Sequence, residues 1–476
     1  MNNKKYEYGQ KRESLSRRDF LQIGGLGLSA YALTSVMRPW DIHAQAPVNP
    51  QNTAKACIFI MLDGGPSHLD TFDIKPGYWT PQNFDVRTVD GINLPVGLFP
   101  KLATQARHIA VVRSLRAWSA SHGIAQYWVQ TGQDFNPAFF GERPSIGSVV
   151  AYDHGLHRRR RADVLPGYVK INTGGIPGNG FLSSLYSPFG VSPNSNGLGG
   201  TLQHPDGEAR FNTRWDFLQQ MDADLRTENP VGGRPLVDYN KFYGATRDMM
   251  YNSAVENAFK FSTGPRSDAE RYGTGSPTGT GFGNACIVAR NLVAAAKGTS
   301  FVYITLGGWD MHDRIYQPNA GLYSLGKTLD QGLGTLIQDM ASRPGQTPGK
   351  SLLDETLIVM TGDFGRTPPN AYGGSTGINQ TMGRDHWDRA TFAFFAGGGI
   401  RGGRVLGETD EFGYQAIDYG WDLDRPARME DVAATIYSAL GINWTTEIRE
   451  TPSRRVYQYV PGGPRSIYRP FDELFV

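Results

Sequence analysis

Five uninterrupted apolar runs, each ending in a polar cluster, constrain this chain more than any other feature. They are "ACIFIML" before Asp63, "HIAVVRSL" before Arg116, "SFVYITL" before Gly307, "TLIVMTG" before Asp363 and "TFAFFAG" before Gly398. A strand with one wet face alternates apolar and polar residues, whereas a continuous run belongs where both faces are covered. Helical patterns lie between the runs. "NACIVARNLVAAAKG" leads into one of them, and "LYSLGKTLDQGLGTLIQDMASR" places Leu322, Leu325, Leu329, Leu333, Ile337 and Met340 on one stripe. "RMEDVAATIYSALGI" is a late amphipathic helix. Strands alternating with helices predict an α/β sandwich around a mostly parallel sheet.

The chain has 476 residues, enough for one large domain or for two or three small ones. Its 59 glycines and 29 prolines call for many turns and long ordered loops rather than a helical bundle. From about 165 to 280 the text turns to Gly, Pro, Asn and aromatics, which reads as an insertion of two or so helices folded over the sheet. A formal net charge of +2 makes no electrostatic case for nucleic acid, and no such partner is expected. "HRRRRAD" at 157–163 reads as a solvated surface. Cys57 and Cys286 are too few for a disulfide framework or a thiolate cluster, and each lies in an apolar run as a packing residue.

The first 46 residues read as an address. Paired Arg17 and Arg18 precede a moderately apolar, Gly-rich stretch and then "HAQA" before Pro47. That is the layout of a twin-arginine export signal cleaved after Ala46. The apolar stretch is too short for a stable transmembrane anchor. A periplasmic or extracellular protein is expected, with 47–476 as one α/β domain.

The polar clusters after the runs share a flavour. Asp63 is followed by Gly64, Gly65, Pro66, Ser67, His68 and Asp70; "GGWDMHDR" brings Asp310 and His312; "DFGRTPPN" brings Asp363 and Arg366; "GRDHW" brings Arg384, Asp385 and His386. In open α/β sheets ligands bind beyond the carboxyl ends of the strands, where these residues fall. Carboxylates and imidazoles without thiolates suit Zn, Mn, Fe, Mg or Ca rather than a soft metal. An Arg fork at Arg366 or Arg384 suits an anion better than a Lys would.

The words "LDGGPSHLDTFDIKP", "SHGIAQYWVQTG", "GERPSIGSVVAY", "GGWDMH", "DFGRTP", "GRDHW" and "AGGGIRGGRVLGETDEFG" also resemble those of an exported bacterial family called domain of unknown function 1501. The family looks like a branch of the alkaline-phosphatase and sulfatase superfamily. The resemblance implies a three-layer α/β/α sandwich with one or two divalent metals at the strand ends. Its first metal-binding Asp matches Asp63, its Asp and His pair matches Asp310 and His312, and its last histidine matches His386. Its Asp-His-Gly corner keeps Asp363, but Phe364 replaces the histidine. The nucleophile's place falls at His122 with Ser121 beside it, and neither cysteine has the context of a formylglycine sulfatase.

The implied division is Asp310, His312 and His386 around one metal, and Asp63, Asp363 and His122 around the other. Ser67 and His68 are expected to orient Asp63. The expected activity is metal-dependent hydrolysis of an anionic ester, phosphate before sulfate, on a small molecule or a polysaccharide. Ser121 or a water activated at the metal is the nucleophile. The alternative is a non-catalytic exported metal- or carbohydrate-binding protein on the same fold.

Overall fold

All five runs become strands. The computed structural model describes residues 48–475 apart from 173, 174, 176, 193–197, 199–202, 227–232, 262–266, 275–279 and 370–382. The expected export segment therefore lies outside the described residues. In the first strand, β1 (Ala56–Asp63), Cys57, Phe59 and Met61 enter one apolar core while Ile58, Ile60 and Leu62 enter the other. All six side chains are at most 1% exposed. Two-sided burial is why the run carries no polar residue until Asp63.

The central sheet has eight strands. After β1 come β2 (Ile109–Leu115), β3 (Tyr168–Ile171), β4 (Phe189–Val191), β5 (Phe301–Gly307), β6 (Thr356–Gly362), β7 (Thr391–Ala396) and β8 (Arg404–Leu406). Their spatial order is β8-β2-β7-β6-β1-β5-β3-β4. Every neighbouring pair is parallel except those made by β7, which runs antiparallel to both β6 and β2. One layer of helices contains α1 (His122–Thr131) and α2 (Ile146–His157), with Met429–Ala439 beside them. The other contains Thr280–Ala295, Gly321–Leu329 and Thr335–Ser342, the last two joined by a π-helical turn over Asp330–Gly334. The expected leucine stripe faces this second core. The result is the α/β sandwich that the runs predict, in the three layers that the resemblance implies.

The segment from 165 to 280 is more deeply woven than an insertion laid over the sheet. Two of its stretches are β3 and β4, which extend the sheet at one edge. Among its described helices, Gly207–Met221 buries no side chain, whereas Ser253–Phe259 sends Val255, Ala258 and Phe259 into the core. Both cysteines are buried among apolar side chains, and burial holds their thiols well above the ordinary range. No helix among the described residues is long and apolar enough to cross a membrane.

Register places the site. In the parallel core Asp63 pairs with Gly307 and Leu62 with Gly362, so β1, β5 and β6 end level with one another. Three carboxylates are delivered to one edge: Asp63 closes β1, Asp363 follows β6 directly, and Asp310 stands three residues beyond β5. The antiparallel β7 starts at this same edge, where Thr391 pairs with Leu115 at the end of β2. His386, just ahead of β7, reaches the carboxyl ends for that reason.

Candidate metal centre

The two glycines after Asp63 answer to close approach. A Cβ on Gly64 would lie 2.5 Å from the backbone nitrogen of Asp310, and Gly64 sits at φ +109. A Cβ on Gly65 would lie 2.8 Å from the Phe364 ring, at φ +73. Positive φ without a side chain lets the β1 corner nest against both neighbouring corners. Phe364 itself is fully buried and its ring centroid lies 4.8 Å from that of His122 and 4.5 Å from that of His386. It offers the imidazoles an apolar wall and no ligand.

Three histidines share one hydrogen-bonding pattern. His122 Nδ1 stands 2.6 Å from Asp363 Oδ2, His312 Nδ1 stands 2.8 Å from Asp385 Oδ1, and His386 Nδ1 stands 2.7 Å from the Ala120 carbonyl. A carboxylate or carbonyl oxygen can only accept, so the ring proton belongs on each Nδ1. The three Nε2 atoms then present lone pairs, and they converge on Asp310. His312 Nε2 lies 2.9 Å and His386 Nε2 lies 3.2 Å from Asp310 Oδ1, while His122 Nε2 lies 3.3 Å from Oδ2. His122 Nε2 is buried and has no hydrogen-bond partner. The Nε2 atoms of His312 and His386 face each other at 3.0 Å. Lone pairs packed this closely around a carboxylate call for a cation.

This donor set fits a divalent metal. His122, Asp310 and His386 each offer a ligand atom within 4.8 Å of the others, with His312 adjoining. Imidazole and carboxylate donors suit Zn, Mn or Fe. The Nδ1 acceptors are the outer partners that orient ligating histidines in such sites. Arg366 plays the same part for Asp310, donating from Nη2 to Oδ1 at 2.6 Å. Burial alone would raise the Asp310 carboxyl, but the Arg366 guanidinium holds it well below the usual carboxylate range. Asp363 moves the other way. Burial raises it, His122 and Gln126 offset this in part, and the neighbouring Asp63 adds to the rise.

Several expectations are redistributed. His122 does turn towards the carboxylates, but it links the two expected groups, with Nδ1 on Asp363 and Nε2 on the Asp310 side. Asp63 and Asp363 are joined instead by Gln126, whose Nε2 lies 2.5 Å from Asp63 Oδ1 and 3.0 Å from Asp363 Oδ2. Arg366 and Arg384, which the sequence reading hands to a substrate anion, are committed to the protein. They are 1% and 2% exposed. Arg366 donates to the carbonyls of Gly64, Gly65, Trp309 and Arg384 as well as to Asp310. Arg384 donates to Asp70, Thr367 and Tyr316.

The expected support of Asp63 by Ser67 and His68 is not found. Ser67 donates to Asp70 at 2.6 Å, and His68 bonds the Gly413 carbonyl and accepts from the Arg366 backbone, so neither touches Asp63. Ser121 is the exposed residue before α1, with no capping bond from its side chain. The sequence reading passes over Gln126 and gives Asp385 no role of its own. A signal existed for each: Gln126 follows His122 by four residues on one helix face, and Asp385 adjoins His386.

With the geometry in place, similarity to known proteins adds the family. The family model described as "Protein of unknown function (DUF1501)" matches residues 54–456. The chain belongs to this family. A search of curated proteins found no match. Solved structures align over most of the length. A protein in the alkaline phosphatase superfamily from Vibrio parahaemolyticus is 12% identical, with 83% of this chain and 69% of that one covered, at a TM-score of 0.35. The phosphonate monoester hydrolase SpPMH from Silicibacter pomeroyi is 11% identical, with 88% and 76% covered, at 0.39. The C-terminal periplasmic domain of EcEptC from Escherichia coli, in complex with Zn, is 10% identical, with 83% and 87% covered, at 0.33. With TM-scores below 0.5, these likenesses carry nothing over to this chain.

Proposed function

We propose that this member of the family is an exported, metal-dependent hydrolase of an anionic ester, phosphate before sulfate. One observation carries the reading: three histidines with their protons tied outward direct three Nε2 lone pairs at the Asp310 carboxylate. His122, His312, His386 and Asp310 would hold the ion. When bound, a divalent ion supplies Lewis-acid charge to an ester oxygen and acidifies water. Asp363, Asp385 and the Ala120 carbonyl keep the imidazoles aimed. Arg366 anchors Asp310 while tying the β1, β5 and β6 corners together. Ser121, facing solvent beside His122, and a water molecule are the two candidate nucleophiles.

A second reading, a non-catalytic exported metal- or carbohydrate-binding protein, is favoured by the two arginines. Neither guanidinium is free to clamp an anion.

The test is metal content of the purified mature chain, followed by a panel of phosphate and sulfate esters with and without chelator. Bound metal with chelator-sensitive turnover supports the hydrolase, and bound metal without turnover transfers the case to the binding protein. Ser121→Ala separates the nucleophiles, since it abolishes turnover only if Ser121 attacks. Export is tested by Arg17–Arg18→Lys–Lys, which should leave an uncleaved precursor in the cytoplasm; normal delivery of that variant would refute the twin-arginine signal.

A further inference from the structure

Two carboxylates that converge at neighbouring strand ends repel each other. They must share a proton, hold a cation or accept N–H groups. Asp63 and Asp363 meet this problem, and the side chain between them is Gln126. Its Nε2 lies within hydrogen-bonding reach of one oxygen of each. An amide nitrogen carries two hydrogens, one for each carboxylate. His122 Nδ1 and the Gly64 backbone nitrogen donate to Asp363 as well. A divalent ion bound to the same two oxygens would lie about 2 Å from each. An ion seated between them would meet the Gln126 nitrogen, which already holds both oxygens, so ion and amide compete for one place.

We infer that Gln126 stands in for a second cation. Asp63 and Asp363 form a metal-free brace, and the protein carries a single divalent ion at His122, His312, His386 and Asp310. This rests on the metal site proposed above, but it departs from the two-ion division that the family resemblance implies. The helix makes the substitution possible. Gln126 lies one turn beyond His122 in α1, so both side chains project from one face onto the level ends of β1 and β6. Gln126 acts as a positioning residue: it holds Asp363, Asp363 holds His122 Nδ1, and His122 Nε2 is thereby aimed at Asp310.

The experiment counts ions per chain by mass spectrometry after the full mature protein is equilibrated with Zn²⁺ or, separately, Mn²⁺. One ion is expected in the wild type and two in Gln126→Glu, where a third carboxylate replaces the amide. His386→Ala in the Gln126→Glu background should lower the count again by one. Asp63→Asn should leave the wild-type count at one, and this variant decides the matter if Gln126→Glu does not fold. Two ions in the wild type, falling to one in Asp63→Asn, would overturn the inference. Failure of the metal site itself looks different. No ion in the wild type with one in Gln126→Glu would sink the histidine site and keep the role of Gln126; no ion in either would end both.

Discussion

Replacing Arg384 by Met should destabilise the fold without emptying the proposed metal site. Arg384 is 2% exposed and Asp70 is fully buried, and they meet at 2.7 Å between Nε and Oδ2. Tyr316 donates to Asp70 Oδ1 at 2.7 Å and accepts from Arg384 Nη2 at 2.8 Å. Burial would lower the guanidinium, yet Asp70 and Tyr316 hold it above its ordinary value. Methionine keeps much of the stem's packing but leaves the Asp70 charge with only the Ser67 and Tyr316 hydroxyls. Breaking one side of a buried pair costs about 3–5 kcal/mol, because the orphaned charge can no longer reach water or a counter-ion.

Urea unfolding of the wild type, Arg384→Met, Asp70→Asn and the double variant measures this. The double variant removes both charges, so its loss should fall short of the sum of the single losses by about 1–3 kcal/mol. Ions per chain should stay unchanged. An Arg384→Met unfolding free energy within about 0.5 kcal/mol of wild type, the range of an ordinary surface change, would refute the structural role and return Arg384 to the substrate.

Two further outcomes follow from the same geometry. Glu430 is 1% exposed; burial pushes its carboxyl up to about 7, although its own backbone N–H and the Trp118 indole partly stabilise the charge. A raised carboxyl binds its proton more tightly when folded, so this stability is complete below the unfolded value near 4.5 and is lost as pH rises to about 7. Glu430→Gln should therefore be less pH-sensitive than wild type in urea midpoints at pH 5 and 8, by up to about 3 kcal/mol; parallel pH slopes would count against it. Asp385→Asn should weaken Zn²⁺ or Mn²⁺ binding about 10- to 100-fold by slackening His312, read by chelator competition, and a change under about twofold would remove Asp385 from the site.

What the sequence determined by itself was the sandwich and the edge at which its polar residues gather. Short continuous apolar runs such as "ACIFIML", bounded by turn residues, fit strands covered on both faces, and the residue that ends such a run stands at a strand end. Asp63 and Asp363 were legible on that ground, and Asp310 nearly so. The strand direction of β7 was not, because an apolar run reads the same parallel or antiparallel, yet that direction brings His386 to the site. The short edge strands β3 and β4 were hidden for a related reason. Three or four residues among glycines carry too little periodicity to stand out from a loop.

The roles of the charged residues were decided by tertiary structure alone. A sequence shows that Arg366 and Arg384 follow strand ends, but not that the β1 and β5 corners close over Arg366 and fill its fork with carbonyls. Gln126 is the sharpest case. Its spacing from His122 put both on one helix face, and only the level register of β1 and β6 set two carboxylates beneath it. A neutral amide gains a role when the sheet delivers two charges that it can bridge, and carboxylates meeting beneath α1 from β1 and β6 are a property of the fold.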